Sequence, residues 1–357
     1  MQEIPLLLGE RSYTISIKDG LTDEAGRLVS GRFSDKKICI IADETALTLH
    51  GDRLLTGFVG HAEAPQIIPI TPGEGSKSLA TAEKLYHRLF QMNFKRGDVI
   101  LAFGGGVVCD LAGFVAATYM RGTQLVQMPT TLLAQIDASV GGKVAVNLPE
   151  GKNLVGSFYQ PSMVLIDPLL LQTLDLRELR AGLCEAIKYA AIGCTQLFEL
   201  LEQIDLTKKI SEQLIALCCR FKAEIVGQDE RDTGRRMLLN FGHTFGHAIE
   251  KQYQFTRFNH GEAVGIGMLL AARLGEILGS TKPGNMAALK ALLVRGGCPI
   301  DLPDDAQKIL PLLAGDKKNE GQEITLVLLE DLGRPVIKSM TLPAIQQAFS
   351  TAGEGSA

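Results

Sequence analysis

The chain has 357 residues, of which 46% are hydrophobic and 21% charged, and its formal net charge is -4. This length can bury two cores of ordinary size, and the slight negative charge excludes the basic surface with which proteins bind nucleic acids. No apolar segment approaches the roughly 20 residues of a membrane-spanning helix. The amino terminus also lacks the pattern of a secretory signal. We therefore expect a cytoplasmic protein without nucleic-acid or membrane partners.

The first part of the chain alternates short apolar runs with helical patterns. Residues 6–8 and 13–17 predict a hairpin at the edge of a sheet. Residues 78–92 have the apolar spacing of an amphipathic helix. Four further runs are brief, apolar and bounded by Asp, Gly or Pro, which is typical of buried parallel strands. They are residues 37–43, 66–70, 98–103 and 163–167.

After Pro168 the pattern changes to long helices, with no clear strand before residues 323–329. The predicted helices are residues 176–192, 207–226, 239–253, 261–278 and 286–294. Strands and helices followed by helices alone predict two domains, which we place at residues 1–170 and 171–357. A cleft between two domains is a common place for a ligand.

Two loops of the first domain follow predicted strands. Three successive glycines at positions 104–106 open a helix, where backbone N–H groups could bind a pyrophosphate. Their spacing is not that of the G-x-G-x-x-G fingerprint, and a plain tight turn explains them equally well. In the second loop, Glu74 and Lys77 could contact a nucleotide, or the loop could simply precede a helix capped by Ser76 or Ser78.

The second domain carries a group of histidines. His243 and His247 lie one helical turn apart, and His260 follows nearby. The four-residue spacing suggests a zinc pair as in H-E-x-x-H proteases, but a threonine follows the first histidine, so the protease base is missing. Each histidine alone could be a hydrogen-bonded structural residue.

Glu185 and Lys188 lie one turn apart on an earlier, largely apolar helix. The pair could be an exposed salt bridge or a buried pair, and buried charges need a metal or a charged ligand. One Glu and two His would leave a zinc position open for a substrate. A third cluster places Lys143 and Lys152 directly after glycines, where their ammonium groups could meet anionic oxygens or solvent.

The order of these motifs resembles the 3-dehydroquinate synthase family of the shikimate pathway. The similarity runs from about residue 43 to residue 318 and covers both predicted domains. The motifs are residues 104–106 (GGG), 110–114 (DLAGF), 119–122 (YMRG), 129–135 (PTTLLAQ), 139–143 (SVGGK), 152–154 (KNL), 185–189 (EAIKY), 240–250 (NFGHTFGHAIE) and 260–262 (HGE).

This resemblance implies an α/β, Rossmann-like NAD-binding domain followed by an all-α domain that binds the metal and the substrate. It implies conversion of 3-deoxy-D-arabino-heptulosonate 7-phosphate to 3-dehydroquinate and phosphate. In that lyase reaction NAD takes up a hydride and returns it, phosphate is eliminated, and an aldol step closes the ring. It also implies a homodimer in which Arg121 reaches the neighbouring subunit's site.

The resemblance implies a role for each matching residue. Zinc or cobalt would be held by Glu185, His243 and His260. The NAD contacts would be Asp43, Glu74, Lys77, Gly105, Gly106, Val107, Asp110, Thr130, Thr131, Lys143, Lys152, Leu170 and Thr173. The substrate and catalytic contacts would be Arg121, Asp137, Lys143, Asn153, Lys188, Lys222, Arg236, Asn240, His247 and one lysine at position 317 or 318, taken as Lys317.

The chain departs from the family pattern at few positions. Cys109 stands where glycine is usual and Ala138 where serine is usual, and neither change removes a charge. The tandem Arg235 and Arg236 leave the arginine assignment ambiguous by one residue.

Three alternatives remain at this point. A sibling cyclase making 2-epi-5-epi-valiolone or 2-deoxy-scyllo-inosose would depart from the SVGGK and NFGH runs that this chain keeps. A glycerol-dehydrogenase-like enzyme would share the glycines and metal histidines but accumulate NADH. A metal-bound or nucleotide-sensing protein without turnover would not need so many basic and polar side chains beyond the metal ligands.

Overall fold

The structure, a computed structural model, describes residues 1–61, 63–301, 306–315 and 323–353. The strands are β1 Gln2–Leu6, β2 Tyr13–Ile17, β3 Ile38–Asp43, β4 Gln66–Ile70, β5 Val99–Gly104, β6 Gln124–Pro129, β7 Lys143–Leu148, β8 Gly151–Phe158, β9 Met163–Ile166, β10 Glu323–Asp331 and β11 Arg334–Thr341. The α-helices are α1 Ala25–Arg32, α2 Glu44–Thr56, α3 Leu79–Gln91, α4 Gly106–Thr118, α5 Leu176–Ala191, α6 Leu197–Glu202, α7 Glu212–Gln228, α8 His243–Gln252, α9 His260–Ile277, α10 Asn285–Arg295, α11 Ala306–Ile309 and α12 Leu342–Gly353.

The described chain divides into two compact units. The first comprises Met1–Asp175 and Lys209–Arg231, and the second comprises the described residues of Leu176–Lys208 and Asp232–Ala357. This division differs from the single boundary after residue 170 that the sequence suggested. The reason is α7, whose buried side chains pack in the first unit, with the Cys219 thiol donating to the backbone oxygen of Gln135 at 3.3 Å.

A seven-stranded sheet forms the centre of the first unit, in the order β1-β2-β9-β6-β5-β3-β4. Within this sheet only the β1–β2 pair is antiparallel, which confirms an edge hairpin, but its first strand is Gln2–Leu6 and not residues 6–8 as predicted. Along β3, Cys39 and Ile41 join one core cluster and Ile40 and Ala42 the other, so the sheet is covered on both faces. Burial on both faces explains why the sequence reads as a continuous apolar run. A separate antiparallel pair, β7 and β8, lies beside α4.

The second unit is mainly helical, as predicted, with α5, α8 and α9 at its centre. It also contains the antiparallel pair β10 and β11, so the all-α description needs this addition. The sequence predicted β10 but not β11, whose side chains are largely half-exposed. Among the described residues, none of the helices combines the length and apolar character that a membrane crossing requires.

All seven cysteines are buried, and none of them forms a disulfide bond. Burial raises the pKa of the Cys39 thiol to about 12, which keeps it protonated and unreactive at neutral pH.

Candidate active site

The predicted nucleotide contacts of the first unit lie at the carboxyl ends of four neighbouring parallel strands. Asp43 ends β3, the loop with Glu74 follows β4, the glycines follow β5, and Thr130 follows β6. Ligands of open α/β sheets bind at this edge. The order of the strands therefore brings together residues that are far apart in sequence.

The glycine turn leaves room for a ligand close to the backbone. β5 ends at Gly104 and α4 begins at Gly106, without a side-chain cap at Gly105. A Cβ added to Gly104 would lie 2.8 Å from the Cβ of Val108, so glycine is required here by close packing. A Cβ on Gly105 would lie 3.1 Å from Cγ2 of Thr131. Val107, two residues further along, is half-buried. The helix start thus offers uncapped N–H groups of the kind that bind phosphate.

Lys77 joins this edge to the β7–β8 hairpin. Its Nζ donates to Oδ2 of Asp110 and to Oδ1 of Asn153, each at 2.5 Å. Burial raises the pKa of the Asp110 carboxyl, and the charge of Lys77 offsets part of that rise. Lys143 begins β7 and Lys152 lies near the start of β8, so the hairpin carries both predicted lysines.

Other predicted contacts of the first unit also have defined positions. Asp43 accepts hydrogen bonds from the N–H groups of Thr45 and Ala46 and so caps α2. Leu170 is buried, and Thr173 pairs with Nε2 of His50 at 2.8 Å, a partner that the sequence did not indicate.

Asp137 and Lys222 form a pair within the first unit. Nζ of Lys222 donates to Oδ1 of Asp137 at 2.5 Å and to its backbone oxygen at 2.7 Å. The structure thus brings together two predicted substrate residues that are 85 positions apart.

In the second unit, Glu185, His243 and His260 point their ligand atoms at one another. Nε2 of His243 and Nε2 of His260 lie 3.8 Å and 3.9 Å from Oε1 of Glu185. Glu185 is fully buried, and within the described part of the chain its Oε1 accepts no hydrogen bond. Its other oxygen forms an ion pair with Lys188, which is only 1% exposed, so the pair is buried rather than exposed. A divalent cation would fit between Oε1 of Glu185, which accepts no hydrogen bond, and the two imidazole nitrogens that face it, because carboxylate oxygen and imidazole nitrogen are usual zinc ligands.

The second nitrogen of each histidine ring has its own partner. Nδ1 of His243 lies 3.3 Å from the backbone oxygen of Phe241, and Nδ1 of His260 lies 3.5 Å from Oε2 of Glu250. Metal-binding histidines usually have such a partner, which orients the ring and fixes its tautomer. Burial opposes charging of His260, but Glu250 and Glu185 outweigh it and raise its pKa.

A second group of possible ligands consists of His247, Glu250 and His260. Both groups found among the described residues contain His260, and neither combines His243 with His247. The protease-like ligand pair is therefore not supported by this geometry. The ring orientations favour the group with Glu185, because there both histidines direct Nε2 to the carboxylate and Nδ1 to an orienting acceptor.

Close helix packing holds these side chains in place. A Cβ on Gly261 would lie 2.1 Å from the backbone oxygen of Ala181, which belongs to α5. A Cβ on Gly267 would lie 2.1 Å from the backbone oxygen of Gly242, next to the start of α8. Glycine therefore lets α9 approach the two elements that carry Glu185 and His243.

The remaining predicted substrate residues differ in their surroundings. Arg236 is buried, and Nδ2 of Asn240 donates to the backbone oxygen of Met237 at 2.9 Å. Arg121 is exposed and has a positive φ of 62°. Lys317 and Lys318 lie outside the described residues.

Comparison with known proteins shows the family to which the chain belongs. The family models described as 3-dehydroquinate synthase N-terminal and C-terminal match residues 67–181 and 182–319. A curated 3-dehydroquinate synthase of Clostridium beijerinckii is 42% identical over 342 residues, which cover 95% of this chain and 98% of that protein. The chain belongs to the 3-dehydroquinate synthase family.

Solved structures of related cyclases have the same fold. A 2-deoxy-scyllo-inosose synthase complexed with carbaglucose-6-phosphate, NAD+ and Co2+ has a TM-score of 0.87 and 26% identity, covering 98% of this chain and 99% of the other. ValA, a 2-epi-5-epi-valiolone synthase from Streptomyces hygroscopicus with NAD+ and Zn2+ bound, has a TM-score of 0.86 and 28% identity, with 98% of each chain covered. The 3-dehydroquinate synthase relative is therefore closer in sequence than either of these sibling cyclases.

Proposed function

We propose that this protein converts 3-deoxy-D-arabino-heptulosonate 7-phosphate into 3-dehydroquinate and phosphate, using recycled NAD and a divalent metal ion. The observation that carries the proposal is the convergence of Glu185, His243 and His260 in a chain 42% identical to a curated 3-dehydroquinate synthase. When bound, NAD accepts and returns a hydride, and the metal ion polarises the hydroxyl that is oxidised.

Glu185, His243 and His260 are the proposed metal ligands, with zinc or cobalt as the ion. Three protein ligands leave a coordination position for a substrate oxygen, which is typical of catalytic rather than structural sites. Lys188, paired with Glu185, would place an ammonium group next to the substrate, where it can stabilise a developing negative charge.

The strand-end residues of the first unit are the proposed NAD site. Their position at the carboxyl edge of the sheet and the open glycine turn support this assignment. The proposed contacts are Asp43, Glu74, Lys77, Gly105, Gly106, Val107, Asp110, Thr130, Thr131, Lys143, Lys152, Leu170 and Thr173.

The basic and polar side chains beyond these two sites are the proposed substrate contacts. Lys143, Asn153, Arg236 and His247 would bind and orient the phosphate, whose leaving charge needs hydrogen-bond donors. Asp137 and Lys222 would bind as a pair, and Asn240 would contact a hydroxyl. We also place Lys317 in this group.

We further propose a homodimer in which Arg121 acts at the partner subunit's site. The exposure of Arg121 supports a role outside its own subunit, because an exposed guanidinium group is accessible to a partner.

A substrate comparison tests the proposed activity. Purified protein with NAD and Zn2+ should release phosphate from the heptulosonate phosphate, and the product should be 3-dehydroquinate. The sugar phosphates used by the two sibling cyclases should give no cyclised product. Cyclisation of either of those sugars, with none from the heptulosonate phosphate, would reject the assignment.

A further inference from the structure

Asn147, which has no role in the proposed site, links residues that the proposed function assigns to different ligands. Its Nδ2 donates to Oε1 of Glu74 at 2.7 Å, and its Oδ1 accepts from the backbone N–H of Asn153 at 2.9 Å. Its own backbone N–H donates to the backbone oxygen of Lys77 at 2.8 Å. Asn147 therefore contacts two proposed NAD residues and one proposed substrate residue.

The chemistry of its two partners fixes the orientation of the Asn147 amide. An ionised carboxylate can only accept a hydrogen bond and a backbone N–H can only donate one. The amide must therefore present its NH2 group to Glu74 and its oxygen to Asn153. Among uncharged side chains of this length, only the amide of asparagine has both an NH2 group that donates and an oxygen that accepts.

The bond to Asn153 is made at an unusual backbone position. Asn153 has a φ of 55°, in the left-handed region that asparagine tolerates better than most residues. In this conformation its Oδ1 accepts from Nζ of Lys77, which also donates to Asp110. Because an ammonium group occupies its oxygen, Asn153 can present its NH2 group to an anionic ligand.

A continuous chain of hydrogen bonds thus runs through Glu74, Asn147, Asn153, Lys77 and Asp110. We propose that Asn147 is a positioning residue that orients Glu74 for the cofactor and Asn153 for the sugar phosphate. The inference rests on the proposed function, which supplies the two ligands. Asn147 acts through its neighbours, so its loss should alter binding more than the chemical step.

The first test is Asn147→Ala, which removes both side-chain bonds. We expect the Kd of NAD, measured by calorimetry on the metal-loaded protein, to rise about tenfold because a hydrogen bond to a carboxylate is lost. The KM for the heptulosonate phosphate should also rise, while kcat changes less than KM. Unchanged NAD affinity and unchanged KM would overturn the proposal.

The second test is Asn147→Asp, which keeps the acceptor for the Asn153 N–H but places a carboxylate opposite Glu74. The Kd of NAD should rise, and the KM for the sugar phosphate should stay close to the wild-type value. A general loss of folding would raise both the Kd of NAD and the KM for the sugar phosphate. A rise in the Kd of NAD alone is therefore specific to the positioning of Glu74. Equal increases in the Kd of NAD and the KM for the sugar phosphate would contradict the inference. This variant decides the question even if Asn147→Ala does not fold.

The matched control is Ser157→Ala, at an exposed position of the same hairpin. Both constants should remain at the wild-type values. The calorimetric measurement needs no turnover, so it can be made even if the protein has no synthase activity. Absence of that activity would reject the proposed function, whereas the Kd of NAD would still test whether Asn147 orients Glu74.

Discussion

At the scale of single residues, the two histidines of α8 have different surroundings although they lie one turn apart. His243 directs Nε2 to the buried Glu185, whereas His247 is exposed and its ring is stacked on that of His260, with 6.0 Å between the ring centroids. The sequence alone could not distinguish them, because four-residue spacing places both on one helix face. What separates them is the partner on the neighbouring helix.

Substitution of each histidine tests this difference. His243→Ala should weaken zinc binding by more than the roughly 10- to 100-fold typical of losing an outer-shell partner, because a direct ligand is removed. His247→Ala should keep the zinc and lose turnover. Metal content after dialysis, measured by atomic absorption, distinguishes the two variants.

The two variants are controls for each other, since both remove an imidazole from the same helix. Equal metal loss would contradict the division of roles. Metal loss in His247→Ala alone would assign the ion to His247, Glu250 and His260 instead.

At the scale of elements, the ligand-bearing helices depend on glycines that allow close contact. Gly261 follows the ligand His260 directly and faces the backbone of α5, which carries Glu185. Backbone atoms cannot move aside as the end of a side chain can. The distance between these two ligands is therefore determined partly by the absence of a Cβ at Gly261.

Gly261→Ala should lower the free energy of unfolding by about 1–3 kcal/mol, the usual range for overpacking. It should also weaken zinc binding, because α9 must shift away from α5. Thermal unfolding of the metal-free protein and zinc titration measure the two effects.

A suitable control is Gly31→Ala in α1, where an added Cβ meets no atom within 4 Å. This change should leave zinc affinity unaltered and stabilise the helix by about 0.5–1 kcal/mol. Wild-type zinc affinity in Gly261→Ala would show that close packing at this glycine is not needed for the site.

The accuracy of the sequence prediction varied with the type of element. The predicted strands β3, β5 and β9 are present because strands buried on both faces give continuous apolar runs, and the predicted β4 is present as the edge strand, with Gln66 and Pro69 exposed. β6 was missed because Gln124 and Gln127 interrupt its apolar run. Gln127 is nevertheless buried, and its side chain donates to the backbone oxygen of Cys109, a contact with no local signature.

The prediction of the site shows the same limit. Glycines and histidines indicated where ligands could bind, because tight turns favour glycine and metal sites favour histidine at characteristic spacings in the sequence. The roles of Asn147 and Glu250 depend on partners from distant segments, so only the structure indicates them. The full set of contacts came from the family resemblance and stays a prediction for most residues.

At the scale of the whole molecule, the chain is not two consecutive domains. Residues 209–231 return to the first unit, so Lys222 and Asp137 lie in one unit although residues 176–208 separate them along the chain. The periodicity of a helix predicts that it forms, but it does not predict which core covers its apolar face. Family membership and the metal-ligand geometry together support a cyclase that uses NAD repeatedly.

The most direct test is to record phosphate release and NADH absorbance together, with a limiting amount of NAD and the heptulosonate phosphate in excess. The account predicts that phosphate exceeds the NAD supplied many times over, without a lasting rise of the NADH band. Accumulation of NADH in step with product, or activity only on unphosphorylated polyols, would contradict it.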